Sequence, residues 1–203
     1  MLVVDMEFTG LDSEKNSIIS LGAVDYLHPS RTLYLECRPR SGALFDDEAF
    51  LVHGMSMEYL SKLSLTEKGL IHQFHEWTLE SPSRVLMGQA PQLDWAFLQS
   101  AYDRYELEWP FGHRLIDSHS ICVAHHFWNN VNPSSRNGLS DLGLDKIAQY
   151  VGLPKRVGEH NALADAKLTA ECFARLLENK NLLPEYASFK IPTIRKKFGK
   201  MFE

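Results

Sequence analysis

The sequence predicts an α/β domain: a mixed five-stranded sheet flanked by helices. Two observations carry that expectation. Three β-rich segments follow one another at short spacing near the start, and strands then alternate with helical patterns. The 203 residues suit one domain with a sizeable core, and 44% hydrophobic and 23% charged residues are ordinary for a globular chain.

The elements follow in order. MLVV, SIISLGAVDY and RTLYLECRP read as strands separated by GLDSEKN and LHPS, so the first three should form an antiparallel meander. From Phe45 to Lys62 the pattern is mixed. Thr66 and Glu67 open a helix carrying Leu70, Ile71, Phe74 and Trp77 at helical spacing. Arg84–Met87 reads as a fourth strand stopped by Gly88, and Pro91 suits the first turn of the next helix. Leu115 and Ile116 mark a short fifth strand, with a helix from about Ser118 to Phe127. WNNVNPSSRNG has loop composition. LSDLGLDKIAQYVGL then reads as a helix capped by Ser140, and a last helix spans about Asn161 to Glu178. No repeat or linker interrupts the chain.

Composition excludes several function classes. A net charge of −5 argues against a protein that coats nucleic acid through a broad basic surface, although an enzyme gripping one chain end is compatible with it. Cys37, Cys122 and Cys172 are widely spaced, without a Cys-x-x-Cys pair, which points to a reducing, cytoplasmic setting. No signal peptide and no apolar run of transmembrane length is visible, so no membrane role is expected.

The candidate chemistry begins at VVDMEFTG. In a strand Asp5 and Glu7 share a face, and their like charges require compensation, either from solvent at a strand end or from cations. Asp94 stands in the first turns of the helix after Gly88, where a helix N-terminus alone would also suit an acid. His160 and Asp165 are about 500° apart if both are helical and so would not share a face. With Asn161 as N-cap, His160 lies in the preceding loop and can fold over the helix start, where Asp165 projects.

DMEFTGLD, LDWAFL and HNALADA, in this order, resemble the three motifs of the DEDD-type 3′–5′ exonucleases, histidine subclass, over roughly residues 2–177. SIISLGAV, VHGMSMEYL and LIDSHSI extend the likeness. The resemblance implies a ribonuclease H-like fold for residues 1–180, with 181–203 as a basic C-terminal extension packed on or trailing it. It implies that Asp5, Glu7, Asp94 and Asp165 hold two divalent cations, Mg²⁺ or Mn²⁺, with His160 as general base. Hard cations prefer carboxylate oxygen, and a histidine near its unperturbed pKa can take a proton from water at neutral pH. Phe8, Thr9 and Gly10 would then border the substrate, although Phe8 suits the core equally well. The expected substrates are single-stranded DNA or RNA 3′ ends, and a polymerase or repair partner is left open. An oligoribonuclease-like enzyme on short RNA, or a non-catalytic interaction module of the same fold, are the alternatives.

One departure stands out: members of the family often carry His-Asn four to five residues before the second-motif Asp, where this chain has Gln89 and Ala90. Phe127, Trp128 and Arg136 could stack on bases and bind phosphate, or belong to an ordinary surface loop. The basic residues Lys190, Arg195, Lys196, Lys197 and Lys200 could contact phosphates or be solvated.

Overall fold

The computed structural model describes residues 1–193. Five strands, β1 (Leu2–Phe8), β2 (Ile18–Asp25), β3 (Thr32–Glu36), β4 (Leu86–Gly88) and β5 (Leu115–Asp117), form one sheet in the order β3-β2-β1-β4-β5. The first three pair antiparallel, and β4 pairs parallel with both β1 and β5. This is the predicted meander followed by parallel strands.

Strand alternation assigns β1 to two layers. Leu2, Val4, Met6 and Phe8 join Leu70, Phe74, Phe97 and Leu98 from α3 (Glu67–Leu79) and α4 (Gln92–Arg104). Val3 packs on the opposite face with Ala166, Ala170 and Phe173 of α7 (Ala162–Glu178). Asp5 and Glu7 share the parity of Val3, so β1 delivers them to the α7 side of the sheet. A third cluster joins α5 (Ser118–Trp128), α6 (Leu144–Tyr150) and α7.

Helix starts follow the sequence signals. The Thr66 side chain accepts from Gly69 N, and that of Asn161 accepts from Ala164 N at 3.0 Å. Three expectations need correction. The mixed stretch contains two short helices, α1 (Asp47–His53) and α2 (Met57–Ser61). Within and just after the expected loop lies a small hairpin, β6 (Ser135–Arg136) with β7 (Leu139–Ser140), turned by Asn137 and Gly138, both at positive φ. Ser140 therefore belongs to a strand, and α6 begins only after Gly143; the Ser140 hydroxyl meets His119 Nε2 at 2.7 Å instead.

After α7 the chain folds back. The buried Glu171 accepts from the backbone N–H groups of Leu182 and Leu183, while its ion-pair partner Arg175 donates to the carbonyls of Tyr186 and Phe189. Of the basic residues near the C-terminus, Lys190 is within the described part; Arg195, Lys196, Lys197 and Lys200 lie outside it. Among the described residues no helix is long and apolar enough to cross a membrane.

Candidate active site

Of the five predicted residues, Glu7, His160 and Asp165 meet at the end of β1, and Asp5 and Asp94 lie within charge-interaction range of them. Asp5 stands opposite Gly22 and Glu7 opposite Ser20 on β2. Asp94 projects from the first turn of α4, and Asp165 from the first turn of α7. Gly22 makes this meeting possible. A Cβ there would lie 2.2 Å from the backbone of Ala162 and Leu163, so only glycine lets the start of α7 rest on β2 beside Asp5. His160 precedes the Asn161 cap, and its backbone N–H donates to Val52 O at the end of α1. Donor atoms of Glu7, His160 and Asp165 all lie within 4.8 Å of one another. Two ligands across a Mg²⁺ ion stand about 4 Å apart, so the Glu7 and Asp165 carboxylates at this spacing fit a hard divalent ion, with the His160 imidazole beside them.

Burial and mutual repulsion govern the electrostatics of these acids. Burial, then the charges of Asp94, Asp165 and Glu7, hold the Asp5 carboxyl well above the usual carboxylate range. Burial does the same for Asp94, helped by Glu7 and opposed by backbone N–H groups. Glu7 is pushed up to about 7 by burial and by Asp165. Asp165 is also raised by burial, but Arg156 works against the shift. His160 is lowered, first by burial and then by Arg156, so its imidazole is neutral at neutral pH and able to accept a proton.

The residues after the acids are differently employed. Phe8 is buried and stacks on Phe97 with ring centroids 3.8 Å apart. The Thr9 hydroxyl donates to Leu44 O and accepts from Ser17 N. Gly10 is buried with Asn16 and Asp46 against it. What this stretch presents outward is its border with a cleft of about 550 Å³ lined by Gly10, Leu11, Phe45, Asp46 and Val52. Leu11 is 75% exposed at its rim.

Sequence reasoning missed Arg156. It lies between α6 and α7, and its Nη1 donates to Asp165 Oδ2 at 2.6 Å while its Nε donates to Asp145 Oδ1 at 2.9 Å. No motif spacing announces it; only the path of the 153–160 loop brings it in. The departure at Gln89 and Ala90 also has a local account. Gln89 donates to Leu142 O and accepts from the Ser118 hydroxyl, and Ala90 takes a left-handed φ of 52° with its N–H on Asp117. That backbone region favours asparagine or glycine, which makes Ala90 a locally strained choice.

The comparisons with known proteins follow this geometry. A family model described as exonuclease, RNase_T, matches residues 2–173. The 3'-5' DNA exonuclease Cap18 of Escherichia coli is 31% identical over 188 residues, covering 88% of this chain and 94% of that protein. Ribonuclease T of Baumannia cicadellinicola subsp. Homalodisca coagulata is 22% identical, covering 87% of this chain and 82% of that protein. Among solved structures, E. coli exonuclease I in complex with a dA16 oligonucleotide aligns at a TM-score of 0.69 and 16% identity. That alignment covers 88% of this chain but 40% of exonuclease I, so this chain spans well under half of that protein and the likeness bears on the fold, which is ribonuclease H-like. With most of its length matched by the family model and a relative at 31% identity along nearly all of its own, the chain belongs to the RNase_T exonuclease family.

Proposed function

We propose that the chain is a metal-dependent 3′–5′ exonuclease of the histidine subclass that releases nucleoside 5′-monophosphates from nucleic-acid 3′ ends. The observation that carries it is the approach of Glu7, His160 and Asp165 to within 4.8 Å, from a strand, a loop and a helix, beside Asp5 and Asp94. Buried carboxyls repelling one another are a poor way to stabilise a fold, but they are what a pair of divalent cations requires. The name of the 31%-identical relative supports the 3′–5′ direction and DNA ends as the first substrate to try, with RNA ends second.

In this reading Asp5, Glu7, Asp94 and Asp165 hold two ions, Mg²⁺ or Mn²⁺. When bound, such ions activate a water and stabilise the leaving 3′ oxygen of the phosphodiester. His160, neutral and at the edge of the acids, accepts the proton of the attacking water. The Phe8–Gly10 backbone and the adjoining cleft seat the terminal nucleoside, with Leu11 and Phe45 offering apolar contact to its base. Residues 1–180 form the catalytic domain, and 181–203 a basic extension. The three cysteines, all free and buried, suit the cytoplasm.

The test is mononucleotide release from a 5′-labelled single-stranded oligonucleotide in Mn²⁺ and in EDTA. Shortening from the 3′ end in Mn²⁺, none in EDTA, and none with Asp5→Ala are expected. Activity surviving in Asp5→Ala would refute the assigned site.

A further inference from the structure

A cluster of buried carboxylates needs a counter-charge, and this chain brings one of its own. Arg156 Nη1 lies 2.6 Å from Asp165 Oδ2 and 3.3 Å from His160 Nδ1. The other side of the guanidinium is tethered: Asp145, in the first turn of α6, takes both Nε at 2.9 Å and the Arg156 backbone N–H at 3.2 Å through one oxygen. Among the described residues Nη2 takes part in no hydrogen bond, which leaves its two N–H donors to face other partners. The side chain is 23% exposed and borders a small cleft of about 190 Å³ with Lys155, Asn161 and Asp165.

A divalent ion bound by Asp165 competes with a guanidinium in ion-pair contact on the same carboxylate, because the two cations would stand a few ångströms apart. Metal binding then weakens the Arg156–Asp165 contact while the Asp145 tether keeps the guanidinium nearby. A planar fork with free N–H groups beside an acidic site matches a phosphodiester, which is the one anion the reaction brings. We propose that Arg156 is a positioning residue that exchanges partners: it neutralises Asp165 in the metal-free chain, and turns to the phosphate of the bound nucleic-acid end once metal takes Asp165. This rests on the exonuclease reading above. The same exchange uncovers His160 Nδ1, which the guanidinium faces beforehand.

The full chain and its Arg156→Gln, Arg156→Lys and Asp145→Asn variants are titrated calorimetrically, first with Mn²⁺ and then, in saturating Mn²⁺, with dTMP as a phosphate probe; melting curves confirm folding. Removing the competing charge should tighten Mn²⁺ binding of Arg156→Gln about tenfold and weaken dTMP about tenfold, each a change of about 1.4 kcal/mol. Arg156→Lys keeps the charge and should stay near the parent for Mn²⁺, with intermediate dTMP affinity. Asp145→Asn loosens the same loop but leaves the cation, so it should not tighten Mn²⁺; a purely structural Arg156 predicts that it behaves like Arg156→Gln. Mn²⁺ affinity of Arg156→Gln at or below that of the parent overturns the exchange, and unchanged dTMP affinity overturns the phosphate contact. If the parent chain binds no Mn²⁺, the metal centre fails and this proposal with it; if the parent binds and Arg156→Gln does not differ, only this proposal fails.

Discussion

His160 shows how much a single position depends on its surroundings. Its ring is partly covered, and both burial and the Arg156 guanidinium disfavour its protonated form, against the opposing pull of Asp165 and Asp145. A base kept neutral near working pH, held at the rim of a carboxylate cluster, can remove a proton without competing for the metal as strongly as an acid would. His160→Ala should therefore lower turnover by about 10²–10⁴-fold, the usual contribution of a positioned general base, while Mn²⁺ titration remains close to the parent. Unchanged turnover would remove it from the chemistry. The five candidate residues could be picked out in the sequence because motif order and local caps constrain where each can point. Arg156 was not legible, since its role comes from one loop crossing two helix starts. The side chain of Phe8 was ambiguous for a related reason, since strand parity places it among the core residues, and the Thr9 hydroxyl, expected at the substrate border, is used in holding the 44 and 17 positions.

Among the elements, α7 does most to assemble the site, and Gly22 sets its height above the sheet. The helix carries Asp165 in its first turn and rests its Ala162–Leu163 backbone where a side chain on residue 22 would begin. Gly22→Ala puts a methyl group against backbone that cannot rotate away. Overpacking of this kind costs about 1–3 kcal/mol, and here the same displacement moves Asp165 from Asp5 and Glu7. The variant should unfold at lower urea and bind Mn²⁺ more weakly; a stability loss with Mn²⁺ affinity intact would show that α7 is not what sets the spacing. Elements with strong local signals were readable: the three-strand meander, the Thr66 and Asn161 caps, and the long α7 stripe. Those without them were not. Helices α1 and α2 span 7 and 5 residues, too short for periodicity to register, and Leu51 of α1 is 84% exposed. The hairpin at β6 and β7 is only two residues per strand, so its Asn137-Gly138 turn was submerged in loop composition.

For the molecule as a whole, the raised carboxyls make stability depend on pH, and the proposed metal centre would make it depend on metal as well. Glu7 titrates near 7 in the fold against an ordinary 4.5, and Asp5, Asp94 and Asp165 shift in the same direction. A carboxyl whose folded pKa is raised binds protons more tightly in the native state than in the unfolded chain. The native state then holds more protons between the two values, and stability falls as pH rises through that window. For Glu7 the window runs from 4.5 to about 7, and its loss amounts to about 3 kcal/mol. In the proposed reading divalent cations would reverse the sign, because they would bind the ionised carboxylates and find no such site in the unfolded chain. Melting temperatures followed from pH 5 to pH 8 should fall in EDTA and hold or rise in millimolar Mn²⁺, with the gap widening toward pH 8. At a hundredfold excess over the dissociation constant, Mn²⁺ adds about 2.7 kcal/mol, or about 5–10 °C for a domain of this size. A gap that stays flat with pH would mean that the metal binds somewhere other than these acids, and no gap at pH 8 would mean that the acid cluster does not serve cations at all.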